Sequence, residues 1–207
     1  KMISRKPNDS EWFEGGLYHD NMSFGVPSFW FVSWYDVSVA PNIALFNHVR
    51  ENGKNDFVKD NQYLVIAPTL HCGFNRATEN TIVGERLMGD ARLDYNTLIY
   101  GWFDFLLKNE ANDFKENTPR VQYFTMGKNS WQTSENWPPK NIFLKTFYLN
   151  SNGKANSRFG DGKLTSSIDR SGIQVDSFYY DPMDPVISYG GGVCCTCLLY
   201  TSDAADD

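Results

Sequence analysis

The stretch Val26-Pro27-Ser28-Phe29-Trp30-Phe31-Val32-Ser33-Trp34-Tyr35-Asp36 decides the fold of the first half of this chain. Its apolar and aromatic run from Val26 to Ser33 has strand length, and the run closes at Trp34-Tyr35-Asp36, so it predicts a buried strand. Downstream, Pro41 opens a predicted helix carrying Ile43, Phe46 and Val49 at helical spacing. That helix is expected to stop at Asn52-Gly53, where glycine supplies a left-handed cap. A second apolar run, Tyr63-Leu64-Val65-Ile66-Ala67, halts at Pro68 and feeds the loop Thr69-Leu70-His71-Cys72-Gly73. Together these segments predict a strand-helix-strand unit. Further on, Leu93, Thr97, Tyr100, Phe103 and Leu107 recur at steps of three and four, which predicts a helix over about residues 92 to 108.

From Thr118-Pro119 the texture changes. Val121 to Met126 and Phe143 to Leu149 are strand-like runs rich in aromatic and β-branched residues, separated by Gly127-Lys128-Asn129-Ser130-Trp131 and Trp137-Pro138-Pro139. Polar, glycine-bearing turns follow at 150–153 and 156–162, so the second half predicts an antiparallel β domain of sandwich type. The expected organisation is α/β plus all-β, divided near residues 112 to 118. No internal repeat, heptad run or low-complexity linker interrupts it.

The composition fits a globular chain: of 207 residues, 41% are hydrophobic and 21% charged, enough apolar surface for at least one core. The longest apolar run is broken by Pro27, Ser28 and Ser33, so no membrane span is expected. Nineteen basic against 25 acidic residues give a net charge of −6 without a basic stripe, which argues against nucleic acid as a partner. Cys194, Cys195 and Cys197 cluster near the end while Cys72 stands apart, a pattern that makes no disulfide framework. A zinc site would need a second cluster of Cys or His nearby, and there is none. The start, Lys1-Met2-Ile3-Ser4-Arg5-Lys6-Pro7, has no apolar stretch to act as a signal-peptide core and resembles a segment entered mid-chain. These patterns specify neither a compartment nor an oligomeric state.

In open α/β sheets, reactive groups project from loops just past the carboxyl ends of strands. Asp36 and His71 hold that position, and their spacing of 35 residues allows one strand-helix-strand passage, which sets their loops side by side. A carboxylate followed by a histidine is also the chain order of the last two members of an α/β-hydrolase triad, in which the carboxylate orients the imidazole and the imidazole takes a serine proton. The bland reading of the same residues is a turn-forming Asp and an idle loop His. His48, beside Arg50 on the polar side of the predicted helix, and His19, in a turn-like stretch, are expected to be solvated surface residues.

Several short segments, in the same order, resemble the CocE/NonD hydrolases, the family of cocaine esterases and X-prolyl dipeptidyl-peptidases. Val26-Pro27 through Ser33-Trp34-Tyr35-Asp36 resembles the family's V-P strand ending in G-W-Y-D, and Ala67 through Gly73 resembles its G-P-W-x-H-G segment. By that resemblance Asp36 is the triad carboxylate and His71 the triad base. Trp102-Phe103-Asp104-Phe105-Leu106-Leu107-Lys108 is similar to the family's W-F-D-x-W-L-K helix. Val121 to Trp131, followed by Trp137-Pro138-Pro139, is similar to the signature that opens its C-terminal jelly roll. Asp181-Pro182-Met183-Asp184-Pro185-Val186 and Pro7-Asn8-Asp9-Ser10-Glu11-Trp12 resemble two further family segments. The resemblance implies the end of an α/β-hydrolase domain over residues 1–112 and a truncated jelly-roll β-sandwich over 118–194. Residues 195–207 have no place in the pattern and are expected to be a non-native tail.

The departures bear on function. Ser33 stands where the family usually has glycine, and Leu70 precedes the histidine. No G-x-S-x-G occurs, so the implied nucleophile lies upstream of Lys1 and the chain alone is expected to be inactive. Relatives that hydrolyse α-amino acid esters carry acids shortly after the triad Asp to hold the substrate ammonium, and here those positions are Ser38 and Val39. The implied activity is serine hydrolysis of a small-molecule ester, amide or peptide, without metal or organic cofactor. Trp131 and Trp137 are either walls of a substrate pocket or core packing. The rival reading is a non-catalytic β-sandwich module that binds carbohydrate or peptide.

Overall fold

The computed structural model describes residues 4–7, 9–15, 22–108, 112–157, 159–168 and 175–183. The three C-terminal cysteines, the tail at 195–207, His19 and the second half of the Asp181–Val186 segment lie outside them. Strand β1, Ser28–Tyr35, is followed by helices α1, Val39–Asn52, and α2, Asp56–Asp60, and then by β2, Gln62–Leu70. A short antiparallel hairpin, β3 (Thr81–Val83) and β4 (Arg86–Gly89), precedes helix α3 (Tyr95–Phe103), a π-helical turn over Asp104–Lys108 and helix α4 (Phe114–Asn117). Strands β5 (Val121–Thr125) and β6 (Ser130–Ser134) follow. The four-stranded sheet has the order β1-β2-β5-β6, with β1, β2 and β5 parallel and β6 antiparallel at the edge.

Both faces of this sheet are covered, which is why β1 and β2 lack hydrophobic alternation. On one face Val32, Leu64, Ile66 and Val121 pack under Phe46 of α1, with Ile43 and Val39 alongside. On the other, Phe29, Phe31 and Tyr63 meet an aromatic group from beyond β2: Phe114 lies 5.1 Å from Tyr63, Tyr95 5.8 Å from Phe31, and Trp102 6.2 Å from Phe29. Gln62, fully buried in β2, satisfies its amide through Trp30 Nε1 and the carbonyls of Val26 and Val58.

Several expectations are corrected here. Helix α1 begins at Val39, two residues before Pro41; a proline in the first turn costs nothing there, because its amide would have no partner. Gly53 is not a left-handed cap, since its φ is −58°. Its glycine is explained by close approach: a Cβ would sit 2.7 Å from the Val49 carbonyl oxygen and 3.1 Å from Val58 Cγ1. His48 is half-buried on α1 rather than fully solvated. The helix predicted near 92–108 forms with Asp94 as its N-cap, but Thr97, Tyr100, Phe103 and Leu107 face outward. Tyr95, Leu98, Ile99 and Trp102 turn inward instead. The segment is apolar around most of its circumference, so periodicity does not select a face; the aromatic group at Phe114 does, and it packs 3.2 Å from where a side chain on Gly101 would begin.

The largest difference concerns residues 121–134. Their sequence predicts antiparallel strands, yet β5 lies parallel to β2 and only β6 pairs antiparallel. A run of aromatic and β-branched residues specifies a strand and says nothing of its partner. In the run Phe143–Leu149, only Tyr148 and Leu149 are in a strand: β7 (Tyr148–Asn150) pairs antiparallel with β8 (Lys163–Thr165) in a separate two-stranded sheet, and Phe143 and Leu144 are exposed.

Ile66 is completely buried in the central strand against α1. Ile66→Ala is expected to destabilise the chain by about 2 to 5 kcal/mol, read from the midpoint of urea unfolding.

Candidate active site

A β-bulge sets the geometry of the site. Along most of the β1–β2 pair the register has an offset of 34 residues, from Ser28 opposite Gln62 to Ser33 opposite Ala67. One extra residue in β2 then shifts it, so that Tyr35 faces Leu70, an offset of 35. The shift falls between Ala67 and Leu70, a step that includes Pro68, which has no N–H to give a ladder, and β2 runs through the proline instead of halting there. Ser33 Oγ and Thr69 Oγ1 bond to each other across the irregular step at 3.0 Å, both buried. At an offset of 35, Asp36 and His71 come out level at the carboxyl ends of adjacent parallel strands.

The two residues meet. His71 Nδ1 lies 2.7 Å from Asp36 Oδ2; the Asp36 side chain is only 9% exposed, and the imidazole a third exposed. With the carboxylate ionised, Nδ1 carries the proton and donates it, which leaves Nε2 of the neutral ring as a base. The other oxygen, Oδ1, accepts from Ser38 N at 2.7 Å and from Ser38 Oγ at 2.6 Å. Burial pushes the Asp36 carboxyl upward, but the two Ser38 donors and His71 outweigh it and hold the group below its ordinary value. His71 and Cys72 occupy the turn closed by Gly73 N donating to the Leu70 carbonyl, and Cys72 adopts φ 54°. Phe74, just beyond, stacks on Phe31 at 5.0 Å and ties this loop back to β1.

Trp34 buttresses the Asp36 end of β1, its Nε1 donating to the Phe124 carbonyl at 2.7 Å and its ring packing against Trp137 at 5.6 Å. Trp137 also packs 5.1 Å from Tyr123, and Trp131 lies edge-on to Phe124 with Nε1 donating to the Ala91 carbonyl. Core packing therefore accounts for both tryptophans. A depression of about 270 Å³, lined by Arg86, Leu87, Met88, Met126, Gly127 and Asn129, lies just past the carboxyl end of β5 and includes neither Asp36 nor His71. Among the described residues no group of three or more His, Cys, Asp or Glu could hold a metal ion, and no helix is long and apolar enough to cross a membrane.

Sequence reasoning brought Asp36 and His71 together but missed what holds them. The missed residue is Ser38, although a serine two residues after an aspartate is a recognisable spacing for an Asx-type turn. Val39 packs into the α1 face of the core.

Known proteins resemble this chain in sequence and in fold. Residues 112–188 match the X-Pro dipeptidyl-peptidase C-terminal non-catalytic domain, a β-sandwich domain. These matches liken the chain to the C-terminal region of the CocE/NonD, X-Pro dipeptidyl-peptidase hydrolases. It is 28% identical over 204 residues to the cocaine esterase of Rhodococcus sp. (strain MB1 Bresler), a match covering 98% of this chain and 33% of that protein. The crystal structure of an aminopeptidase from the marine sediment archaeon Thaumarchaeota archaeon shares its fold, with a TM-score of 0.57 at 20% identity over 81% of this chain and 25% of that one. The chain thus spans about a third or less of the proteins it matches.

Two outcomes follow from this geometry. Because the folded Asp36 carboxyl is held below its unfolded value, its stabilisation is present above about pH 4 and is lost as pH falls through the folded pKa. The stability difference between the wild type and Asp36→Asn should accordingly shrink as urea unfolding is repeated from pH 7 down to pH 3. Ser33→Ala and Thr69→Val should each cost about 1 to 3 kcal/mol by stranding a buried hydroxyl, and the double variant little more than either alone, as a double-mutant cycle would show.

Proposed function

We propose that this chain is the C-terminal part of a serine hydrolase of the α/β-hydrolase class, with Asp36 and His71 as two members of a Ser-His-Asp triad. The serine lies upstream of Lys1, and the α/β-hydrolase part is followed by the opening of a jelly-roll β-sandwich. The observation that carries this reading is the 2.7 Å bond between His71 Nδ1 and Asp36 Oδ2 at the ends of adjacent parallel strands. In the full-length protein the serine hydroxyl attacks an ester or amide carbonyl while His71 Nε2 takes its proton. Asp36 holds the imidazole tautomer and stabilises the imidazolium as it forms, and Nε2 then returns the proton to the leaving group.

The similarity to a cocaine esterase and to an X-Pro dipeptidyl-peptidase domain supports an ester or X-Pro amide as the scissile bond. Where amino-ester hydrolases of the family carry acids, Ser38 is bound to Asp36 and Val39 is packed in the core, which supports an acyl group without an ammonium at that place. The non-catalytic description of the domain matched at 112–188 is compatible with this reading, since both proposed triad members precede it.

In the full-length gene product, Asp36→Ala and His71→Ala are each expected to lower kcat/KM for ester hydrolysis by about a thousandfold or more, with the unfolding midpoint of His71→Ala near wild type. Full activity in either variant would end the triad reading in favour of the non-catalytic binding module. A fluorophosphonate should label the full-length protein and leave residues 1–207 alone unlabelled, and labelling of the isolated chain would overturn the assignment of the nucleophile.

A further inference from the structure

Ser38 is the N-cap residue of α1, where a serine ordinarily spends its hydroxyl on a free amide of the first helical turn. Here it makes no such bond. The hydroxyl turns back to Asp36 Oδ1 at 2.6 Å, and the Ser38 amide reaches the same oxygen at 2.7 Å. Ser38 is itself anchored, because its carbonyl accepts from the Asn42 amide at 3.0 Å and from Asn42 Nδ2 at 2.8 Å. The carboxylate is thereby divided: two donors occupy Oδ1, and Oδ2 is left to the imidazole. Rotation of the carboxylate about its Cβ–Cγ bond would take Oδ1 from both donors at once in a nearly buried setting, where unmade hydrogen bonds are costly.

We propose that Ser38 is a positioning residue for the Asp36–His71 pair, its hydroxyl fixing the one carboxylate orientation in which Oδ2 accepts from His71 Nδ1. The catalytic consequence rests on the triad reading above, whereas the orientation itself does not. A serine retained only as a helix cap would bond the α1 amides, and one retained only for solubility would not donate to a buried acid.

The test uses Ser38→Ala and Ser38→Thr, the latter keeping the hydroxyl. In the 207-residue chain labelled with 15N-histidine there are three histidines, and the His71 signals are assigned with His71→Gln. The Nδ1–H resonance of His71 should lie far downfield and exchange slowly in wild type and Ser38→Thr, and should broaden or move upfield in Ser38→Ala. An unchanged resonance in Ser38→Ala overturns the proposal. In the full-length gene product, Ser38→Ala should lower kcat about tenfold with KM unchanged, and Ser38→Thr should restore kcat. Wild-type kcat in Ser38→Ala, with Asp36→Ala inactive, refutes a positioning role and leaves the triad reading standing. Wild-type kcat in Asp36→Ala removes the triad reading, and the NMR result then decides the orientation alone.

Discussion

One irregular step in the pairing of β1 with β2 determines where this protein's chemistry-bearing residues meet. Two parallel strands kept in perfect register would have carried the 34-residue offset to their ends and set Asp36 level with Leu70. The extra residue taken up around Pro68 moves His71 level with Asp36, and a 2.7 Å hydrogen bond results. Proline suits that place because it cannot donate to a ladder, and the Ser33–Thr69 hydroxyl pair stitches the strands together across it.

The rest of the molecule holds that step rigid. Phe46 and Ile43 of α1 cover one face of the sheet, and Tyr95, Trp102 and Phe114 cover the other. At the carboxyl edge, Phe74 ties the His71 loop to β1 while Trp34 reaches across to the Phe124 carbonyl. The β3–β4 hairpin packs Val83 and Met88 against Phe124, beside Tyr35 and Leu70 at the strand ends. A buried carboxylate can then remain ionised, because its oxygens are satisfied by neighbours whose own positions are set by packing rather than by water.

The site was legible where it depended on local order and illegible where it depended on partners. Apolar runs of strand length ending at Asp36 and shortly before His71, with helical spacing between them, placed both residues at neighbouring strand ends. The inward stripe of α3 was not legible, since Tyr100, Phe103 and Leu107 are as apolar as Tyr95, Ile99 and Trp102, and only the aromatic group on the sheet chooses between them. Nor was the pairing of β5, because alternative neighbours of a strand differ in side-chain contacts far along the chain.

By itself, then, the sequence determined the existence of the two buried strands, the helix between them, and an acid and a base at their ends, since hydrophobic pattern and turn chemistry act over a few residues. Tertiary structure alone decided that β2 passes through Pro68, that the sheet continues into β5 and β6, and that Ser38 turns its hydroxyl from helix to carboxylate. Each of these choices balances groups 35 or more residues apart, or a local bond against a buried one. Register, burial and hydrogen-bond satisfaction are properties of the assembled sheet, so they settle such choices only after the strands have met.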